Sequence, residues 1–377
     1  MTEPSHQPVA VSPLRLLALE LPVTALLCVA LWMLTGSEIA WVLAGVLGGW
    51  LASLAFRLRG RAPRPNARVR KTGQFLIGIA IGPTLVAQNM AEVMPHLATL
   101  VTLVALTLAA AVAIGLGYAR VFRVDRLTAG LSTLPGGIGV MASIAADRGR
   151  PPQFVALIQG LRVAAIVSLA PVLILLLEPE RPDVARLPPL LIDPGSWILY
   201  VLALAGAGGA AWLAARLRVP VASLLGPMFF GVVLAIALSA LTEGEVALHV
   251  PYLQEIVGQA LLGITVGEYL ARRVRASRAA FAGGFVSVAA GLIAAGSLAV
   301  GLHLLTGWSL LTCFLMASPG GAPEMIVLAA ASGAELHLVV FTQILRQLAV
   351  NALIPLWLRI FDTPSGPEPA GPEDRRS

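Results

Sequence analysis

Arg162 and Arg346 each lie eight or more residues inside an apolar stretch, and each follows a glutamine three residues earlier, Gln159 and Gln343. A charge at that depth in a bilayer costs roughly 3 kcal/mol on insertion scales, so it meets a partner or a wet cavity. Spacing of three puts amide and guanidinium on one helical face. A planar arginine fork beside an amide can grip a carboxylate. The same pair can instead hold backbone carbonyls of a broken segment in its own half, and the spacing leaves both roles open.

The breaks themselves are Pro135-Gly136-Gly137 and Pro319-Gly320-Gly321, each in the middle of an apolar segment. Proline removes a backbone donor and glycine relaxes the chain. Bare backbone at membrane depth is tolerated only where protein buries it or where it lines a wet cavity. Such breaks place helix N-termini near the midplane, where their free N–H groups suit an anion. A tight turn made for close packing is the other reading. Glu324 follows the second break, while Val140 holds the matching place after the first. Glu324 is either a proton-coupling carboxylate or the partner of an arginine. The candidate substrate-binding set is therefore Pro135, Gly136, Gly137, Gln159, Arg162, Pro319, Gly320, Gly321, Glu324, Gln343 and Arg346. Gln74, Gln259, Asn351 and Glu268 are weaker candidates.

Little else in the chain suggests chemistry. His6, His96, His249, His303 and His337 are scattered, without metal-ligand spacing. Cys28 and Cys313 sit in apolar stretches and read as buried thiols. No Walker motif and no dinucleotide fingerprint is present. No catalytic residue, cofactor or metal is expected, and the chain does not read as an enzyme.

These residues recur in register, so the elements that carry them must recur too. At an offset of 184, Pro135, Gly136, Gly137, Met141, Gly149, Gln159, Arg162 and Pro171 match Pro319, Gly320, Gly321, Met325, Gly333, Gln343, Arg346 and Pro355. At 185, Gly73-Gln74 with Gly78 and Gly82 match Gly258-Gln259 with Gly263 and Gly267; at 182, Gly49 matches Gly231. Three blocks in one order mark an internal duplication, a pattern of membrane transport folds. Hydrophobic residues make up 57% of the chain and charged residues 12%, against about 25% charged in soluble proteins. This composition excludes an ordinary soluble domain and predicts a polytopic, all-α membrane protein. Bilayer-length segments fall at 14–34, 39–56, 73–90, 97–118, 127–146 and 154–177, then at 197–215, 221–241, 253–270, 281–305, 310–331 and 336–360. The first is too long for a signal-peptide core and reads as a membrane helix.

Twelve crossings would make the halves parallel, and the loop charges object. The loop Arg57–Lys71 holds seven Lys and Arg residues, and its counterpart Thr242–Gln254 holds Glu243 and Glu245 and no Lys or Arg. The loop with Arg272, Arg273, Arg275 and Arg278 matches one holding Glu92 and His96. Basic loops mark the cytoplasmic face, so matching loops face opposite sides. Letting each Pro-Gly-Gly segment enter and leave on one side resolves this. The expectation is two inverted repeats, each of five transmembrane helices plus one re-entrant segment, with both termini cytoplasmic; the alternative is twelve spans in parallel repeats. The parts are a tail over 1–13, repeat 1 over 14–177, a Pro-rich linker over 178–195, repeat 2 over 196–360 and a disordered tail over 361–377.

The duplication, the Gly-Gln…Gly blocks, the Pro-Gly-Gly breaks and the Gln-x-x-Arg segments together resemble the AbrB family (aidB-regulator type) of bacterial membrane proteins, over nearly all of 14–360. The resemblance implies a multi-pass protein of the bacterial inner membrane. Members are labelled transcriptional regulators or ammonia monooxygenases, and neither label brings catalytic residues with it. A monooxygenase needs a metal or flavin site, and a direct transcription factor needs a basic reading element on a soluble domain; the sequence offers neither. The expected function is secondary transport of a small organic anion bound near the midplane between the repeats. Its partners are then the lipid bilayer and an anionic solute, with no nucleic acid, and a homo-oligomer is left open. A membrane-embedded regulator acting through a partner or a sensed metabolite is the alternative.

Overall fold

A computed structural model describes residues 9–10, 12–36, 38–63, 66–87, 90–177, 190–191, 194–243, 246–271 and 276–361. The expectations for residues 1–8 and 362–377, for most of the linker, and for Arg64, Arg181, Arg186, Arg272, Arg273 and Arg275 lie outside these.

Helices dominate. The first half of the chain contributes α1 (Pro13–Thr35), α2 (Ala40–Leu58), α3 (Ala67–Ala87), α4 (Leu97–Phe122), α5 (Arg126–Thr133), α6 (Ile138–Asp147) and α7 (Pro152–Leu177). The second contributes α8 (Trp197–Arg216), α9 (Ala222–Leu241), α10 (Tyr252–Leu270), α11 (Arg278–Thr306), α12 (Leu310–Ala317), α13 (Ala322–Ala330), α14 (Leu336–Ala352) and α15 (Ile354–Phe361). The all-α expectation holds, with one short extended pairing beside the helices. Two-residue strands β1 (Val9–Ala10) and β2 (Arg61–Ala62) pair in parallel, because an extended lead-in to α1 runs beside the basic loop after α2. Seven described helices are long and apolar enough to cross a bilayer, or eight if α14 and α15, bent by 60°, make one span. Pro355 stands at the start of α15, where its missing N–H and its ring break the helix.

Each Pro-Gly-Gly segment divides a pair of short helices, α5/α6 and α12/α13. The entry helices are capped at matching positions. Asp125 Oδ2 accepts from Thr128 N at 2.8 Å, and Ser309 Oγ accepts from Thr312 N at 3.1 Å. The two ends of each pair also meet. Asp125, before α5, forms an ion pair of 3.2 Å with Arg150, after α6. Glu335, after α13, donates its N–H at 3.0 Å to Thr312 Oγ1 in the first turn of α12.

The halves interleave rather than stand apart. α1–α3 and α8–α10 pack into one unit, and α4–α7 and α11–α15 into another. In the first unit, each repeat's third helix packs on the other's second. A Cβ on Gly45 would stand 2.2 Å from Ala260 O, and one on Gly263 2.2 Å from Val42 O. A Cβ on Gly78 would stand 2.4 Å from Leu224 O. Of the duplicated glycines, Gly49, Gly263 and Gly267 lie where α2 meets α10, and Gly78, Gly82 and Gly231 where α3 meets α9, backbone to backbone.

Corresponding helices run antiparallel where they touch. Gly73 on α3 faces Gly258 and Leu261 on α10, whereas one turn later Leu76 O accepts from Gln254 Nε2 at 2.8 Å. The C-terminal end of α4 meets the N-terminal end of α11, where Tyr118 OH donates to Ala280 O at 2.7 Å.

The contacts between the two units are lopsided. α7 packs on α2 and α10, and α13 packs on α3 and α10. Their counterparts α14 and α6 make no comparable contact with the first unit. α13 is buried through Ala329, whereas Gly139 and Val140 on α6 are exposed.

Candidate functional site

The first break is held from α7. Gln159 is fully buried and donates through Nε2 to Leu131 O at 2.6 Å and Leu134 O at 2.8 Å. Its Oε1 accepts from Arg162 Nη2 at 2.6 Å, and Arg162 Nη1 donates to Thr133 O at 2.8 Å. The second break is held in the same way from α14. Gln343 Nε2 donates to Leu315 O at 2.7 Å, and Arg346 Nη2 donates to Gly320 O at 2.7 Å. Arg346 also donates to Ser318 O and to Gln343 Oε1. The last carbonyls of a helix have no intrahelical donor, and the Gln-x-x-Arg pairs supply one, with a positive charge at the negative end of each entry helix.

Arg162 also lines a cavity of about 30 Å³ with Thr107, Ser132, Ser287 and Pro319, so the first repeat's arginine reaches the second repeat's break. That volume is about one water molecule.

The exit helices differ. α6 starts at Gly137, whose φ of +82° needs glycine, and no side chain caps it. Gly136, Gly137 and the first turn of α6 face a cavity of about 300 Å³. Across it stand Arg70, Lys71 and Gln74 of α3, Thr265 and Tyr269 of α10, and Gln347 of α14. This cavity fills the gap that α6 and α14 leave against the first unit. α13 starts at Gly321, and there the chain supplies its own carboxylate. Glu324, 1% exposed, folds back so far that a Cβ on Gly321 would stand 2.0 Å from its Oε2. Its Oε1 lies 3.5 Å from Arg70 Nη2. The open N-terminus of α6 and the occupied N-terminus of α13 are thus corresponding places, one facing a basic cavity and one holding an acid.

A second cavity, about 270 Å³, lies between α3, α10 and the far half of α13, lined by Thr84, Glu255, Gln259 and Gly333. The duplicated Gln74 and Gln259 therefore line different cavities. Near Tyr252, the Glu38 carboxyl before α2 is pushed up by burial, against a hydrogen bond from Tyr252 that lowers it. The 300 Å³ cavity is lined by two cations, and the 270 Å³ cavity by one carboxyl, Glu255.

Of the residues singled out in the sequence, the structure places Gly136 and Gly137 at the basic cavity. Gln159, Arg162, Gln343 and Arg346 sit on backbone carbonyls, Pro135 and Pro319 sit at the turns, Gly320 gives its carbonyl to Arg346, and Glu324 folds over Gly321 and pairs with Arg70. Arg70, Lys71 and Gln347 had not been singled out. The structure corrects the loop assignment of Arg57–Lys71 at its end: Arg70 and Lys71 lie in the first turns of α3, one residue short of the repeated Gly73-Gln74 block. Among the described residues, no three His, Cys, Asp or Glu side chains gather to hold a metal.

Residues 41–362 match the family model AbrB, described as "Transition state regulatory protein AbrB". The chain is 30% identical over 352 residues to "Uncharacterized protein YhjN" of Bacillus subtilis (strain 168), covering 87% of this chain and 86% of that one. It is 24% identical over 329 residues to "Putative regulator AbrB" of Escherichia coli (strain K12), covering 84% and 90%.

Proposed function

From the premise that this chain belongs to the AbrB family, we propose that it is a secondary transporter of a small organic anion in the bacterial inner membrane. The observation that carries the reading is the 300 Å³ cavity where Arg70 and Lys71 face the uncapped N-terminus of α6. Two cations, backbone donors and a helix dipole converge on one space, which is the chemistry of anion recognition. Gln74 and Gln347 add amides for orientation. Arg162 and Arg346 hold the two breaks and lend positive potential from behind them.

The proposed topology is ten spans and two re-entrant hairpins in inverted repeats, with both termini cytoplasmic. The spans are the seven long helices, the bent α14–α15 pair, and α3 and α10, whose charged ends lower their hydropathy. The antiparallel contact of α3 with α10 supports inversion. The bonds that tie the start of α5 to the end of α6, and α12 to the N-terminus of α14, support re-entry on one side. Transport would move one unit against the other. The lopsided contacts fit a state open at the basic cavity, with α13 closing the other side.

Thermal-shift titration of purified protein with mono- and dicarboxylates, with neutral analogues as controls, tests the reading. Stabilisation by an anion that Arg70→Gln removes supports it, and a flat response to the whole panel overturns it. The family description and the Escherichia coli relative's name favour a second reading, a membrane regulator acting through a partner. That reading predicts specific capture of a protein on the cytoplasmic face, and would fall if none is found.

A further inference from the structure

We propose, resting on the transporter reading, that Arg70 is exchanged between Glu324 and the anion, so that each anion bound brings one proton onto Glu324.

Arg70 belongs to the first unit and Glu324 to the second, so their ion pair joins the parts that must move. The pair is loose. At 3.5 Å it is longer than a tight guanidinium–carboxylate bond. Arg70 Nε and Glu324 Oε2 are both buried without a hydrogen-bond partner. Arg70 also lines the 300 Å³ cavity, so an anion entering there meets the same guanidinium from the other side. Where Glu324 stands, the first repeat has Val140, so the second repeat alone carries this acid.

Among the described residues, Arg70 is the cation in an ion pair with Glu324, while Lys71, next along α3, lines the same 300 Å³ cavity. The helices packed on α13 are α3, α7, α10, α12 and α14. α14 presents Arg346 and α7 presents Arg162, both engaged with carbonyls. α10 carries the acids Glu255 and Glu268, and α12 the thiol Cys313. His337 is at the N-terminal end of α14, by the far end of α13.

Once the anion takes Arg70, Glu324 is a carboxylate with 1% exposure that has lost its ion partner. Burying an unpaired charge is strongly unfavourable, and a carboxylate in that position takes a proton instead. The step balances: anion and proton enter from water, the Arg70–Glu324 pair opens, an Arg70–anion pair forms, and Glu324 becomes a neutral acid. Reversal on the other side releases both.

Titration calorimetry on the purified full chain tests this, with acetate, lactate, succinate and citrate as probes near pH 7. Comparing buffers of different ionisation enthalpy counts the protons. The expected result is uptake of about one proton per anion in the wild type, and affinity falling about tenfold per pH unit above neutrality. Glu324→Gln should bind the same anion with no proton uptake, independently of pH, and severalfold more tightly. If that variant does not fold, the wild-type proton count and pH slope decide. Anion binding with no proton taken up and no pH slope overturns the exchange and leaves the transporter reading standing. Binding of no probe overturns the transporter reading itself.

Discussion

Arg70 Nη2 stands 3.5 Å from Glu324 Oε1, across 254 residues of sequence, and this ion pair joins the two units of the molecule. The acid sits at the first turn of α13 and over Gly321. A negative charge there is favoured by the helix dipole and by the arginine together. The equivalent first turn, on α6, faces an open basic cavity instead. One half thus places a carboxylate where the other leaves a cavity.

Removing Arg70 alone should be more damaging than removing both partners. Arg70→Gln leaves buried Glu324 without its ion partner, so that it must take a proton, and should cost about 3 kcal/mol near neutral pH. Arg70→Gln with Glu324→Gln should recover most of that. Unfolding in detergent measures both, and equal loss in the single and double variants would mean that the pair carries no coupling.

Arg162 and Arg346 should be structural first. Arg346→Ala orphans Ser318 O and Gly320 O, and Arg162→Ala orphans Thr133 O. Each should cost about 2–4 kcal/mol from lost charge-assisted bonds and buried, unmet carbonyls. Lysine should restore little, since an ammonium cannot match the fork. The fraction that still folds should bind anions. Full stability with abolished binding would return these arginines to the ligand.

Gly137 and Gly321 should respond differently to alanine. At Gly137 a Cβ meets no atom within 4 Å, but φ is +82°, so alanine should cost about 1–2 kcal/mol through backbone strain alone. At Gly321 the backbone is ordinary, and a Cβ would displace Glu324 from above the turn. Gly321→Ala should therefore alter the pH dependence of anion binding, whereas Gly137→Ala should keep it. Identical pH profiles would separate Glu324 from the binding step.

Asp125→Cys and Arg150→Cys should react with a membrane-impermeant maleimide from the same face, the cytoplasmic one, because their side chains meet at 3.2 Å. The native Cys28 and Cys313 are buried and should stay silent. Removing the ion pair by Arg150→Ala, which leaves the Asp125 cap of α5 in place, should cost under about 1 kcal/mol, since both partners are a third exposed. Labelling from opposite faces would restore a crossing segment and the parallel arrangement.

Composition and periodicity alone made this a helical membrane protein, because only closed backbone hydrogen bonding survives in lipid. The repeat offsets marked the breaks at 135–137 and 319–321, and Gln159, Arg162, Gln343 and Arg346 as their companions, because a break needs carbonyl partners within one helical turn of reach. The repeated glycines announced close helix contacts. Which helices they join, α3 with α9 and α10 with α2, came only from packing between the halves. The role of Arg70 was hidden because a charge at a helix start reads as a loop charge until a neighbouring helix is placed beside it. Glu324 was visible as the odd residue of its repeat, but its partner lies on another helix whose register no local pattern fixes. Two nearly equal copies also cannot say which one stands open. That difference arises where α13 closes on α3 and α10 while α6 does not, a choice of tertiary packing between halves with the same local instructions.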